Sequence, residues 1–187
     1  MSTGTLLLLP ALHLHSEMNI ITKFTIATEQ GVETLLALTC ELAIEQYASL
    51  VERPVLDRYM LENFNKKALI DELNSMSNQW LVVYADGLPA GYARITTRGE
   101  KPQVLDGKPA VRIADFGILK KFPAPAIRDS LLEKCLTVGR SHDGVQIWVN
   151  EHIGSPLIEL FESKGFIKQQ EAARLDALPL ASVFLTA

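Results

Sequence analysis

Hydrophobic positions along the chain change period several times. Ile20 to Ala27 is short, β-branched and closed by Thr28, a residue suited to capping a helix. Over Glu29 to Val51, the apolar residues Val32, Leu35, Leu36, Ala43 and Tyr47 recur at helical spacing, and Pro54 ends the run. Leu56, Met60, Phe64, Ala68 and Leu73 continue as one stripe, which predicts a second helix with a core-facing side. Strand character returns at Trp80 to Ala85 and at Ala90 to Thr97. Asp86-Gly87 between them predicts a tight hairpin, because glycine tolerates the positive φ of the primed turns.

The polar stretch Arg98 to Lys108 reads as a loop and Ala110 to Leu119 as the next strand. Pro123 and Pro125 punctuate the entry to a helix over Ala126 to Ser141, with Ile127, Leu131, Cys135 and Val138 on one face. A strand at Gln146 to Val149, a short helix at Pro156 to Ser163, a strand starting at Phe166 to Lys168 and a last strand near Val183 to Leu185 complete the order. A strand meander beside βαβ units predicts an α/β (α+β) fold, a mixed sheet with helices on its faces. Ligands of such open sheets sit where a strand feeds a helix N-terminus, which points to Asp115 through Ser130.

Composition narrows the function classes. The 187 residues suit one domain, and 18 basic against 22 acidic side chains give a net charge of −4. That balance argues against a nucleic-acid partner, whose phosphates call for a basic surface. No stretch approaches the roughly 18 uninterrupted apolar residues of a membrane span. Cys40 and Cys135 make neither a metal spacing nor a disulfide framework, so no metal is expected and the reading is of a cytoplasmic protein. Residues 1–17 carry Leu6 to Leu9, Pro10, His13 and His15, while the first basic residue, Lys23, follows the apolar run rather than leading it. They read as an extension ahead of a domain over 18–187, with a docked strand or an atypical export signal as the other readings. Cys135 lies in an apolar helical stripe and reads as a small core residue. Ser141-His142-Asp143 spells a triad, but adjacent residues cannot adopt a triad's geometry, so it reads as a turn.

Two segments carry a resemblance. Asp115-Phe116-Gly117-Ile118-Leu119, followed by a loop and Leu131-Leu132-Glu133, resembles the central segment of the GCN5-related N-acetyltransferases. Phe161-Glu162-Ser163-Lys164-Gly165-Phe166 resembles the segment that closes the domain in that family. The resemblance covers Ile20 onward and implies a mostly antiparallel central sheet flanked by helices on both faces. It implies acetyl-coenzyme A as co-substrate and an amine of a small molecule or peptide as acceptor. By the same resemblance the backbone of Phe116, Ile118 and Leu119 would pair with the pantetheine arm, as an added strand does. The amides of Ala126, Ile127 and Arg128 would face the pyrophosphate, since a helix N-terminus offers unpaired N–H groups and a positive dipole end. A homodimer is compatible with the pattern but not written in it.

The chain departs from the family where phosphate should bind. The family has a basic residue and two small ones; here those positions hold Pro123, Ala126 and Arg128. Pro123 and Pro125 lack the N–H that a phosphate needs. Two readings stand. The remaining amides still cradle phosphate, with Lys120, Lys121 or Arg128 adding charge, or the prolines merely start a helix and the domain is a binding or regulatory relative. For catalysis, Asp115 is the carboxylate best placed on the central strand to serve as base, with a hydrogen-bonded structural role as the alternative and Glu151 and His152 as second choices. The family's acid is a tyrosine where this chain has Phe161, so Tyr92 or Ser155 would have to substitute.

Overall fold

The computed structural model describes residues 18–141, 144–175 and 177–187. The amino-terminal extension at 1–17, with its leucine run and its histidines, and His142-Asp143 of the expected turn lie outside the described residues. A seven-stranded sheet organises the rest, in the order β1-β2-β3-β4-β5-β7-β6. Its strands are β1 (Ile20–Thr25), β2 (Asn78–Ala85), β3 (Leu88–Thr96), β4 (Ala110–Ile118), β5 (Gln146–His152), β6 (Ile167–Arg174) and β7 (Ala181–Thr186). Every neighbouring pair is antiparallel except β4 and β5, which run parallel. The fold is thus the expected mixed, mostly antiparallel sheet.

Helices α1 (Glu29–Tyr47), α2 (Arg53–Asn63) and α3 (Lys66–Leu73) cover one face, and α4 (Pro125–Gly139) and α5 (Leu157–Ser163) the other. The main core lies between the sheet and α4/α5, where Ile127, Leu131, Leu132, Leu136 and Phe161 meet Leu81, Ala93, Ile113 and Val149. Across the sheet, Leu35, Leu38 and Leu42 of α1 pack on Trp80, Val82 and Tyr92. Among the described residues no helix is long and apolar enough to cross a membrane.

The hairpin forms as its turn chemistry requires, with Asp86 at φ 49° and Gly87 at φ 81°. Thr28 caps α1 by accepting from the Gly31 amide at 3.1 Å. The single stripe from Leu56 to Leu73 is corrected to two helices. Phe64 leaves helical geometry at φ −120° and ψ 57°, and the Asn65 side chain accepts from the Ala68 amide at 2.9 Å, starting α3 afresh. Strands β5 and β6 run several residues beyond their predicted ends, because antiparallel pairing with β7 sustains polar positions such as Glu151 and Arg174.

Candidate active site

The site begins with a fork in the sheet. β4 and β5 are in register only at Ala110/Gln146, Val111/Ile147 and Arg112/Trp148; beyond Arg112 no β5 residue pairs with β4. A bulge accompanies the separation. Opposite β3, pairing steps from Ile113/Ile95 to Asp115/Arg94 and leaves Ala114 as the extra residue. A bulge bends its strand and increases the local twist, which turns β4 away from its neighbour. The extra residue also exchanges faces. Ile113 before it and Phe116 after it both enter the α4/α5 core, while Asp115 and Gly117 face α1. Gly117 lets α1 lie close, since a Cβ there would sit 2.8 Å from Gln46 Nε2 and 3.0 Å from a Leu42 methyl.

Backbone direction along the fork follows from one hydrogen bond. The Leu119 amide donates to the Ala90 carbonyl at 2.9 Å, so this pair is hydrogen-bonded and alternate residues face β3. Phe116 and Ile118 therefore turn their N–H and C=O groups into the gap. Gln46 Nε2 reaches into the gap and donates to the Phe116 carbonyl at 3.3 Å. Leu119 differs from its neighbours here: its amide goes to Ala90 and its carbonyl accepts from Phe122 at 2.8 Å, so its backbone is already engaged.

At the mouth of the gap, Ala124 precedes α4 without a side-chain cap and Pro125 opens the helix. The Ile127 amide is engaged, donating to the Ala124 carbonyl at 3.1 Å, and the Ile127 side chain is fully buried. Ala126, exposed and first after the proline, heads the helix with an N–H. The exposed Arg128 guanidinium lies 3.8 Å from the Asp129 carboxylate beside it. Both lysines of the loop lean on α1. The Lys120 amide donates to Glu45 Oε2 at 2.9 Å, its Nζ donates to the Glu45 carbonyl at 3.2 Å, and Lys121 Nζ meets Glu41 Oε1 at 2.8 Å.

The carboxylates occupy different settings. Asp115 accepts from Arg94 Nε at 2.7 Å, and Arg94 also bonds Glu72 Oε2 at 3.0 Å. The Asp115 charge, joined by Glu72, holds the Arg94 guanidinium firmly protonated against its burial. Glu151, at the end of β5, is pushed up to about 7, chiefly by burial and further by the Asp115 charge. The Ser155 hydroxyl and Arg112 pull the other way. Asp115, Glu151, Asn150, Tyr47 and Tyr92 line one narrow cavity at the fork. Burial raises the phenols of Tyr47 and Tyr92, keeping both protonated. Asn150 donates from Nδ2 to the Arg174 carbonyl at 3.0 Å, which leaves its buried Oδ1 without a partner.

Of the remaining predicted residues, Ser155 is buried and accepts from the Leu157 amide at 3.2 Å, while the His152 ring sits 6.2 Å from Tyr47. Phe161 is fully buried, 5.9 Å from Phe116 and 5.2 Å from Phe166 between ring centroids. Its place is core packing. Sequence reasoning missed Gln46, Arg94, Asn150 and Tyr47. The one local signal was the polar Asn150-Glu151 pair ending the apolar run Ile147-Trp148-Val149.

A sheet that forks between its fourth and fifth strands, with helices on both faces and a helix N-terminus at the mouth of the fork, is the fold of the GCN5-related N-acetyltransferases. The PaiA N-acetyltransferase of Thermoplasma acidophilum, solved in complex with coenzyme A, matches with a TM-score of 0.70 over 90% of this chain and 98% of that one, at 13% identity. The acetyltransferase of the GNAT family from Streptococcus pneumoniae matches with a TM-score of 0.62 over 90% of this chain and 98% of that one, at 12% identity. Arabidopsis thaliana Naa50, in complex with the bisubstrate analogue CoA-Ac-MVNAL, matches with a TM-score of 0.58 over 89% and 97%, at 14% identity. No protein-family model matches the chain. What is shared at such identities is the fold.

Proposed function

We propose that the protein is an N-acyltransferase that moves an acetyl group from acetyl-coenzyme A to an amine of a small molecule or peptide. The observation that carries this reading is the fork, where the backbone groups of Phe116 and Ile118 face a gap that no strand among the described residues fills. The residues present fit the co-substrate unevenly. Phe116 and Ile118 offer an amide-bearing arm the partners a missing strand would have. Ala126 offers one helix-terminal N–H to a pyrophosphate, and Lys120, Lys121 and Arg128 offer charge close by. The lysine contacts with Glu41 and Glu45 are exposed, worth under about 1 kcal/mol each, and an arriving phosphate can compete for them.

Bound acetyl-coenzyme A supplies an activated acetyl group as its thioester. The chain's own part is to hold the acceptor nitrogen at the fork, keep bulk water from the cavity and remove a proton. Asp115 stands at the cavity wall, tied to Arg94, where its charge acts on the groups around it.

A second reading is favoured by α4's first turn, where Pro125 lacks an N–H and the Ile127 amide is already bonded. On that reading the domain binds a partner without turnover. Titration calorimetry separates the two: acetyl-coenzyme A and free coenzyme A should each bind one site at micromolar to sub-millimolar concentration. Arg128→Ala should weaken both, because it removes one of the cations beside the helix end. An absence of heat at millimolar ligand in both proteins would remove the acyltransferase reading.

A further inference from the structure

We propose that Glu151 is the residue that takes the acceptor's proton, with Asp115 across the fork as a positioning residue and Asn150 Oδ1 as the acceptor that orients the incoming nitrogen. This rests on the acyltransferase reading above. Three observations at the fork converge. Glu151 and Asp115 line the same cavity, one from each of the strands that part there. Asp115 is tied to Arg94 at 2.7 Å, whereas Glu151 stands outside that ion-pair network. Asn150, 5% exposed, also lines the cavity and keeps an orphaned carbonyl oxygen, a cost that a nitrogen donor would remove.

The charges around Glu151 come from every side of the fork. Asp115 and Arg112 face it from β4, with Arg94 behind Asp115. Tyr47 faces it from α1, Ser155 lies on the turn into α5, and His152 is its neighbour on β5. Burial and Asp115 place its proton affinity near neutrality, where a base can accept a proton at working pH and release it again.

The proton balance is simple. An ammonium gives one proton to the Glu151 carboxylate, and the freed nitrogen pair forms the bond to the acetyl carbon. The carbon–sulfur bond breaks with its electron pair on sulfur, the second nitrogen proton ends on that sulfur as the thiol, and Glu151 returns its proton to solvent.

The test uses the full chain with acetyl-coenzyme A and three acceptor probes, n-butylamine, 1,4-diaminobutane and an amino-terminally blocked lysine peptide, following thiol release from pH 5.5 to 9. Wild type should rise through a single midpoint near 7 in kcat/KM. Glu151→Gln should lose on the order of 100-fold or more in kcat while coenzyme A binds within about twofold of wild type. Asp115→Asn should move the midpoint acid-ward by about half a unit or more, a change that a merely structural role would not produce. Full activity in Glu151→Gln, or an unmoved midpoint in Asp115→Asn, overturns the assignment while leaving the acyltransferase reading intact. Tight coenzyme A binding with no thiol release to any probe in wild type would remove both. Circular dichroism of each variant shows whether it is folded, and carboxyl-carbon nuclear magnetic resonance then reads the Glu151 titration directly: a midpoint in the ordinary glutamate range overturns the proposal.

Discussion

Replacing Glu151 by Gln should make the protein more stable at neutral pH, and the gain should depend on pH in a specific way. Glu151 titrates at its ordinary value of 4.5 in an unfolded chain and at about 7 in the folded one. Below 4.5 both states hold the proton, so the residue is neutral in the comparison. Between 4.5 and 7 the folded state keeps a proton that the unfolded state has released, and folding stability falls as pH rises. Above 7 both are ionised and the full cost is present. At about 1.4 kcal/mol per pH unit, the span amounts to about 2–3 kcal/mol after allowing for the partial exposure of the side chain. Gln preserves shape and hydrogen-bonding capacity and carries no charge to bury. Thermal unfolding of the two proteins from pH 4 to pH 8.5 should therefore coincide at the acid end and diverge by roughly 4–12 °C at pH 8, with the variant higher. Equal Tm values across that range, or a variant less stable at pH 8, would show that Glu151 does not carry the desolvation cost assigned to it.

Other variants probe the framework of the fork. Gly91→Ala would place a Cβ 2.3 Å from the Gly117 carbonyl oxygen, so the β3–β4 pairing must shift; denaturant unfolding should show a loss of about 2 kcal/mol or more. Arg94→Ala strips the ion-pair partner from Asp115 and one of several partners from Glu72, and the same assay should register about 2–3 kcal/mol, moderated by the partial exposure of the cluster. Gln46→Ala frees the Phe116 carbonyl, and if that group belongs to the coenzyme site, calorimetry should find coenzyme A bound about 2–10-fold more tightly. Asn65→Ala removes the cap that separates α2 from α3 and should cost about 1 kcal/mol.

What could be read from the residues in advance was whatever depends on neighbours along the chain. Asp86-Gly87 announced its turn because positive φ is a local demand, and Thr28 announced the start of α1 for the same kind of reason. The break between α2 and α3 was hidden because Phe64 keeps the apolar stripe in phase, although Asn65 was a visible cap signal. The bulge at Ala114 was invisible, since nothing in Ile113-Ala114-Asp115 says which residue will lose its partner across the sheet. That bulge decides which side Asp115 faces.

The candidate base illustrates the same limit. Asp115 attracted attention as the carboxylate on the central strand, and only the register opposite Arg94 reveals its ion pair. Glu151 looked like part of a solvated loop pair until pairing with Val183 extended β5 through it and brought it to the fork. Charge neutralisation and burial depend on partners dozens of residues away, so a carboxylate's proton affinity is a property of the fold. The departures in the phosphate loop were legible in full: the two prolines and Arg128 stand where the amino-acid order put them.

The proposed function requires the open edge of β4 to receive coenzyme A. Backbone amide chemical shifts of the full chain, recorded as coenzyme A is added, test it most directly. The largest changes should fall at Phe116, Ile118 and Ala126, with Leu119, whose backbone is already bonded, changing less. Saturable changes confined to other regions, or none at millimolar coenzyme A, would contradict it.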